Sequence, residues 1–134
     1  MSPSDDLLQQ ARVAHLATAD PTGRPHVVPV CFAYVDRTIY TPLDLKPKRT
    51  SDPRRLRRVR NVLANGRAAL VVDHYDEDWS RLSYVFVEGA AALVADAEEE
   101  RRAVEALKAK YEQYRTMPIV GMLRVRAERI VSWP

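Results

Sequence analysis

The sequence predicts a mainly β fold, an antiparallel β-barrel with helices packed outside it. Three observations point there. About six segments have strand character against two principal helical ones, and their connections are short and hairpin-like. The third is the stretch His26 to Val35, which is apolar on both alternating faces. A strand of an open antiparallel sheet usually keeps one polar face, so this one needs cover on both sides, from a barrel interior and from a second packed element.

The elements follow in order. Ser4 or Asp5 caps a short helix through Gln10, with Leu7 and Leu8 facing inward. Val13 to Thr18 reads as a strand. Asp20-Pro21-Thr22-Gly23 is a turn, because Pro21 presets φ and Gly23 accepts positive φ. The His26–Val35 strand carries Pro29, which has no N–H for a ladder and marks an edge, a bulge or an open seam. Asp36-Arg37 turns the chain into the strand Thr38 to Thr41, and Pro42 to Ser51 is an irregular basic loop. Asp52 caps the next helix, Pro53 takes its first position, and Gly66 follows its end. Leu56, Val59 and Leu63 share one face of it. Strands follow at Ala68 to Asp73 and at Leu82 to Val94, the latter with a bulge expected at Gly89. Asp96 starts a long helix through about Tyr114, with an apolar stripe of Val104, Leu107, Tyr111 and Tyr114. The last strand, Val120 to Trp133, changes phase near Arg129, where another bulge is expected.

The 134 residues suit one domain, 1–134, around one core. No apolar run approaches the roughly 20 residues of a membrane helix, and residues 1–12 lack the order of a signal peptide. The one cysteine, Cys31, sits in an apolar run and reads as a small core residue. These features suit a cytoplasmic protein. The net charge of +3 hides an asymmetry: Lys46 to Arg67 carries nine bases against Asp52 alone, a local +8 that leaves −5 for the remainder. Such a band implies a local anionic partner. It lacks the interleaved aromatics of a nucleic-acid surface. Asp73, His74, Asp76, Glu77 and Asp78 match no metal-ligand spacing and read as a solvated turn. His15 and His26 read as satisfied strand or turn histidines, and there is no Gly-rich phosphate loop, nucleophile elbow or paired-cysteine motif.

Several short motifs, in this order and spacing, carry a resemblance. They are Ala14-His15-Leu16-Ala17-Thr18 with the turn to His26, Ile39-Tyr40-Thr41-Pro42, Lys46-Pro47-Lys48-Arg49, Arg60-Asn61-Val62-Leu63-Ala64-Asn65, Ala68-Ala69-Leu70-Val71 and Val85-Phe86-Val87-Glu88-Gly89. Together they resemble the pyridoxamine 5′-phosphate oxidase-like superfamily, the FMN-binding split barrels, from about Leu7 to Trp133. Within it, His26 to Val30 and the block from Lys46-Pro47-Lys48-Arg49 to Ser80 look most like the actinobacterial branch dependent on the deazaflavin coenzyme F-420. The resemblance implies a six-stranded antiparallel split β-barrel, a homodimer with cofactor sites at the subunit interface, and hydride transfer to small unsaturated substrates. The FMN-using oxidases carry bases where this chain has His26 and Cys31. FMN, in a pyridoxamine phosphate oxidase-like enzyme, is therefore the alternative, as is a non-enzymatic flavin or deazaflavin carrier.

A cofactor of this type needs cations for its phosphate, an apolar wall for its ring and donors for the ring's polar edge. Lys46, Lys48 and Arg49 suit the phosphate, lysine as a mobile charge and arginine as a planar fork. Val28, Pro29 and Val30 suit the wall, and Thr41 could donate its hydroxyl. Tyr40 belongs to the same group. Trp79 and Trp133 are candidate aromatic covers or simply core. The arginines from Arg54 to Arg60 exceed the needs of one phosphate and are either a solvated helix face or contacts for an anionic tail. Tyr40, Tyr75 or water could donate a proton, and no catalytic residue is singled out. A deazaflavin has carbon in place of the reactive flavin nitrogen, which favours two-electron hydride transfer over reaction with oxygen.

Overall fold

The computed structural model describes residues 2–44 and 52–134. Lys46, Lys48 and Arg49 lie outside the described residues. The chain opens with helix α1 (Pro3–Gln10), whose N-cap is Ser2 rather than Ser4 or Asp5. Ser2 and Asp5 form a reciprocal capping box. Strands β1 (Ala14–Ala19) and β2 (Pro25–Val30) form a hairpin around the Gly23 turn, where φ is +88°. Asp20 holds that turn by accepting from the Thr22 and Arg24 backbone N–H groups, each at 2.9 Å.

The doubly apolar stretch His26–Val35 is two strands, not one. After β2 the chain breaks at Cys31 and Phe32 and resumes as β3 (Ala33–Val35), which pairs with β4 (Thr38–Asp44) across the Asp36-Arg37 turn. Both turn residues have positive φ, 50° and 57°, as a two-residue hairpin requires. The order within the sheet is β2-β1-β5-β6-β7-β4-β3, with β5 (Arg67–His74), β6 (Ser83–Leu93) and β7 (Ile119–Trp133) all antiparallel. Seven strands therefore replace the six expected, and the reason explains the barrel. β2 and β3 are the opposite edges of the sheet, and two residues join them. The sheet closes on itself there, leaving a seam without a ladder. At the seam the buried Phe32 donates its backbone N–H to the Tyr111 hydroxyl at 3.2 Å, and that hydroxyl donates to the Arg12 carbonyl at 2.8 Å. A backbone group that left the ladder is thus satisfied by a side chain.

The two bulges expected separately near Gly89 and Arg129 are one irregularity seen from both strands. Glu88 pairs with Arg129 and Gly89 with Ala127, so Glu128 is the extra residue.

The helix expected from Asp52 divides. Asp52 caps a single 3₁₀ turn, Pro53–Arg55, the chain extends at Leu56, and α2 (Arg57–Asn65) starts afresh and ends on left-handed Gly66. This shifts the buried face: Val59 and Val62 enter the core, whereas Leu63 is 55% exposed. Buried Asn61 donates to Thr18 Oγ1 at 3.0 Å and Asn65 donates to the Ala19 carbonyl, pinning α2 to β1. Helix α3 (Ala97–Lys110) ends earlier than expected, and a 3₁₀ turn, Glu112–Arg115, carries Tyr114 inward. The barrel interior is filled by Leu16, Ile39, Leu70, Val85 and Val125, joined by Leu8 from α1 and by Val59 and Val62 from α2. A second cluster packs Ala103 and Leu107 of α3 outside the barrel against Ala33 and Met122. Among the described residues no helix is long and apolar enough to cross a membrane.

Candidate functional site

The seam leaves a cavity of about 220 Å³ where β2 turns away from the sheet. Pro29, Val30 and Cys31 form one wall, Thr41 and Pro42 of β4 another, and Arg58 of α2 the cationic side. Val13 and Tyr114 complete it. Local sequence explains each placement. Pro29 sits on an edge strand, where its missing N–H leaves no partner strand unsatisfied. Alternation sends Ile39, Thr41 and Leu43 inward, and all three are buried. The restart of α2 at Arg57 brings Arg58 to the seam.

One polar group in the cavity wall is unaccounted for. Thr41 is 1% exposed, and its Oγ1 has no hydrogen-bond partner among the described residues. A buried hydroxyl left unpaired costs about 1–3 kcal/mol, so this orphan marks a place where a ligand atom fits.

The structure therefore brings Pro29, Val30 and Thr41 together. Val28 is half-buried and packs against the barrel core. Tyr40 points to the opposite face of β4, where its hydroxyl donates to Glu99 Oε2 at 2.8 Å and Arg124 binds the other carboxylate oxygen at 2.6 Å. Burial, with the Glu99 hydrogen bond, raises the Tyr40 pKa, which suits a structural donor. Trp79 is 69% exposed and donates its indole N–H to the Tyr75 hydroxyl at 3.4 Å. It does not line the seam cavity of its own chain. Cys31 and Arg58 were not among the expected site residues. Cys31 reads as core in an apolar run, and Arg58 is one of several similar arginines until the break at Leu56 fixes the helical register.

Beside the seam lies a second electrostatic feature. Lys110 Nζ is buried without a hydrogen-bond partner among the described residues and stands over the Phe32 ring, 3.8 Å from its centroid. Burial first, and the Arg12 charge second, push its pKa down to about 8, while the Cys31 thiol opposes the shift. Below that pH the folded protein holds a poorly solvated ammonium that the unfolded chain would solvate. As pH rises from about 8 toward the ordinary lysine value of 10.5, the folded state has released a proton that the unfolded state retains, so stability rises. Partial exposure and the aromatic face offset part of the penalty. Lys110→Met should therefore gain about 1 kcal/mol at pH 7 and flatten this rise, measured by urea denaturation from pH 7 to 10. A variant less stable than the parent at pH 7 would show that the Phe32 contact dominates.

A larger cavity, of about 710 Å³, lies elsewhere, on the outer sheet face between His15, Val71, Tyr84 and Trp133. Tyr84 and Trp133 stack there with centroids 6.4 Å apart. It continues a broad apolar surface that includes Val27 at 62% exposure and half-buried Phe86 and Val131.

A closed antiparallel barrel whose two edges meet at an unpaired seam defines a split β-barrel protein. The chain belongs to the pyridoxamine 5′-phosphate oxidase family, whose sequence profile matches residues 4–134. The comparison with curated proteins returned no match. Among solved structures, the chain is similar to a conserved hypothetical protein from Mycobacterium tuberculosis, at a TM-score of 0.76 and 21% identity over 99% of this chain and 84% of that one. It is also similar to an FAD-binding protein from Mesorhizobium loti, at a TM-score of 0.70 and 22% identity, covering 98% and 94%. The heme storage protein HutZ from Vibrio cholerae aligns at a TM-score of 0.73 and 14% identity, covering 96% and 89%. At these identities the likeness concerns the fold.

Proposed function

We propose that the seam cavity holds the ring of a flavin-type cofactor, coenzyme F-420 in preference to FMN, in an oxidoreductase acting on a small unsaturated substrate. The observation that carries this reading is the orphaned Thr41 hydroxyl beside the Pro29–Val30 wall and Arg58. Pro29 and Val30 line the cavity with apolar groups, Thr41 offers a hydrogen bond to the ring's polar edge, and Arg58 supplies charge for an anionic group. The basic loop of Lys46, Lys48 and Arg49 supports phosphate binding by its composition. When bound, a deazaflavin supplies two-electron hydride chemistry, and the chain's part is to orient the partners and exclude water. The preference for F-420 rests on the sequence resemblance of His26 to Val30 and of the basic loop. The family match keeps FMN as the second reading.

The cavity is smaller than the roughly 300–1,000 Å³ typical of ligand pockets, which supports a site completed by a second copy. The apolar outer face adjoining Pro29 suits that copy, so the active form is proposed to be a homodimer. Titration with oxidised F-420 should quench its fluorescence at one cofactor per chain, with micromolar or tighter affinity. FMN binding more tightly would transfer the site to the FMN reading. Binding of neither tricycle would overturn both.

A further inference from the structure

On the other side of α2 from the seam cavity lies a groove of about 340 Å³, between that helix and the β1–β2 turn. Arg57, Arg60, Asn61 and Ala64 line it at helical spacing, and Arg24 faces them from the turn. It shares no lining residue with the seam cavity. Its charge is unbalanced. Asp20 is its one carboxylate, and Asp20 Oδ1 already accepts three hydrogen bonds, from Thr22 N, Thr22 Oγ1 and Arg24 N. Among the described residues none of the three guanidinium groups has a carboxylate within ion-pair distance. Some arginines elsewhere do: Arg67 pairs with Glu128, Arg101 with Glu98 and Glu105, and Arg129 with Glu88.

Three guanidinium groups around one concavity repel each other in the absence of a counter-charge. The N-terminal end of α2, where Arg57 stands, has no side-chain cap, so its partial positive charge adds to the field there. The frame is fixed, because Asn61 is bonded to Thr18 and Asn65 to the Ala19 carbonyl. The backbone that carries these arginines is thus held in place, and planar guanidinium forks are suited to oxyanions. We propose that the groove formed by Arg24, Arg57 and Arg60 is a binding site for a small polyanion bearing clustered phosphate or carboxylate groups. Its volume exceeds what one phosphate fills, which favours a ligand with several anionic groups. The site stands independently of the cofactor reading.

Calorimetric titration of the full chain at low salt, with tripolyphosphate and with a tri-glutamate peptide as probes, tests the proposal. At least one probe should bind, and which of them binds more tightly assigns phosphate or carboxylate chemistry. The double variant R57A/R60A should lose about tenfold or more in affinity, as expected for deleting charge-assisted hydrogen bonds. R57K/R60K should recover part of that loss. Both variants should keep the parental melting temperature and the parental response to FMN, which separates this site from the seam cavity. Failure of the parent to bind either probe, or a loss below about threefold in R57A/R60A, would overturn the proposal. So would binding of an RNA oligonucleotide by a parent that ignores both small probes.

Discussion

Replacing Gly89 by alanine should cost the barrel most or all of its stability. A Cβ built at Gly89 overlaps the Arg126 carbonyl oxygen and lies 2.9 Å from both the Arg126 carbonyl carbon and the Glu128 nitrogen. These are backbone atoms of the bulged strand, so no rotamer change can relieve the clash. Moving β7 would disturb its pairing with β4 as well as β6, because β7 lies between them. The loss is expected to reach about 4 kcal/mol or more, in the range reserved for backbone conflict in a core, against a typical total of about 5–15 kcal/mol. Soluble yield and urea denaturation measure it. Gly23→Ala is the control: its Cβ meets nothing within 4 Å, so only the +88° φ opposes it, at about 1 kcal/mol. If the two variants melted alike, the bulge would be more compliant than its geometry implies.

Gly89 also illustrates how much of the fold could be read from the residues. Strand positions, the Gly23 and Asp36-Arg37 turns, the Gly66 stop and a bulge at Gly89 all follow from local chemistry, which acts over a few residues. What local chemistry cannot supply is the pairing between distant strands. The phase change at Arg129 and the glycine at 89 were both visible, but that they oppose each other is a property of the sheet. The same holds for His26–Val35. Its double apolarity correctly demanded two covers, yet the division at Cys31 and Phe32 arises because the segment must serve both edges of a closing sheet. For the candidate site, Pro29 stands out locally as a proline in a strand, while Val30 and Thr41 belong to motifs that carry the resemblance; the structure brings all three to the wall of the seam cavity. Arg58 was not legible, because Arg54, Arg55, Arg57, Arg58 and Arg60 look alike until the extended Leu56 sets which of them turns toward the seam and which toward the groove. Tyr40 shared a motif with Thr41, but adjacent strand residues face opposite ways, and Glu99 holds its hydroxyl on the other face.

Thr41→Val should move stability and cofactor affinity in opposite directions. Valine matches threonine in shape and removes only the hydroxyl, whose oxygen is buried and unpaired among the described residues. Among the described residues that oxygen has no bond to offset its desolvation cost. Its removal should stabilise the free protein by about 1 kcal/mol, toward the lower end of the cost of an unsatisfied buried group. With a cofactor seated on the Pro29–Val30 wall, the hydroxyl would gain its partner, so the same change should weaken F-420 or FMN binding about tenfold, the worth of one well-placed hydrogen bond. Thermal melting of the free protein and fluorescence titration give the two readouts. A merely structural threonine predicts a different pair, a loss or no change in stability with affinity unaltered. Stability sacrificed at a position that binds ligand is a common signature of a functional site, and here one methyl-for-hydroxyl exchange tests for it. Higher melting temperature with unchanged affinity for both cofactors would place the ring away from Thr41 and remove the main support for the seam as the cofactor site.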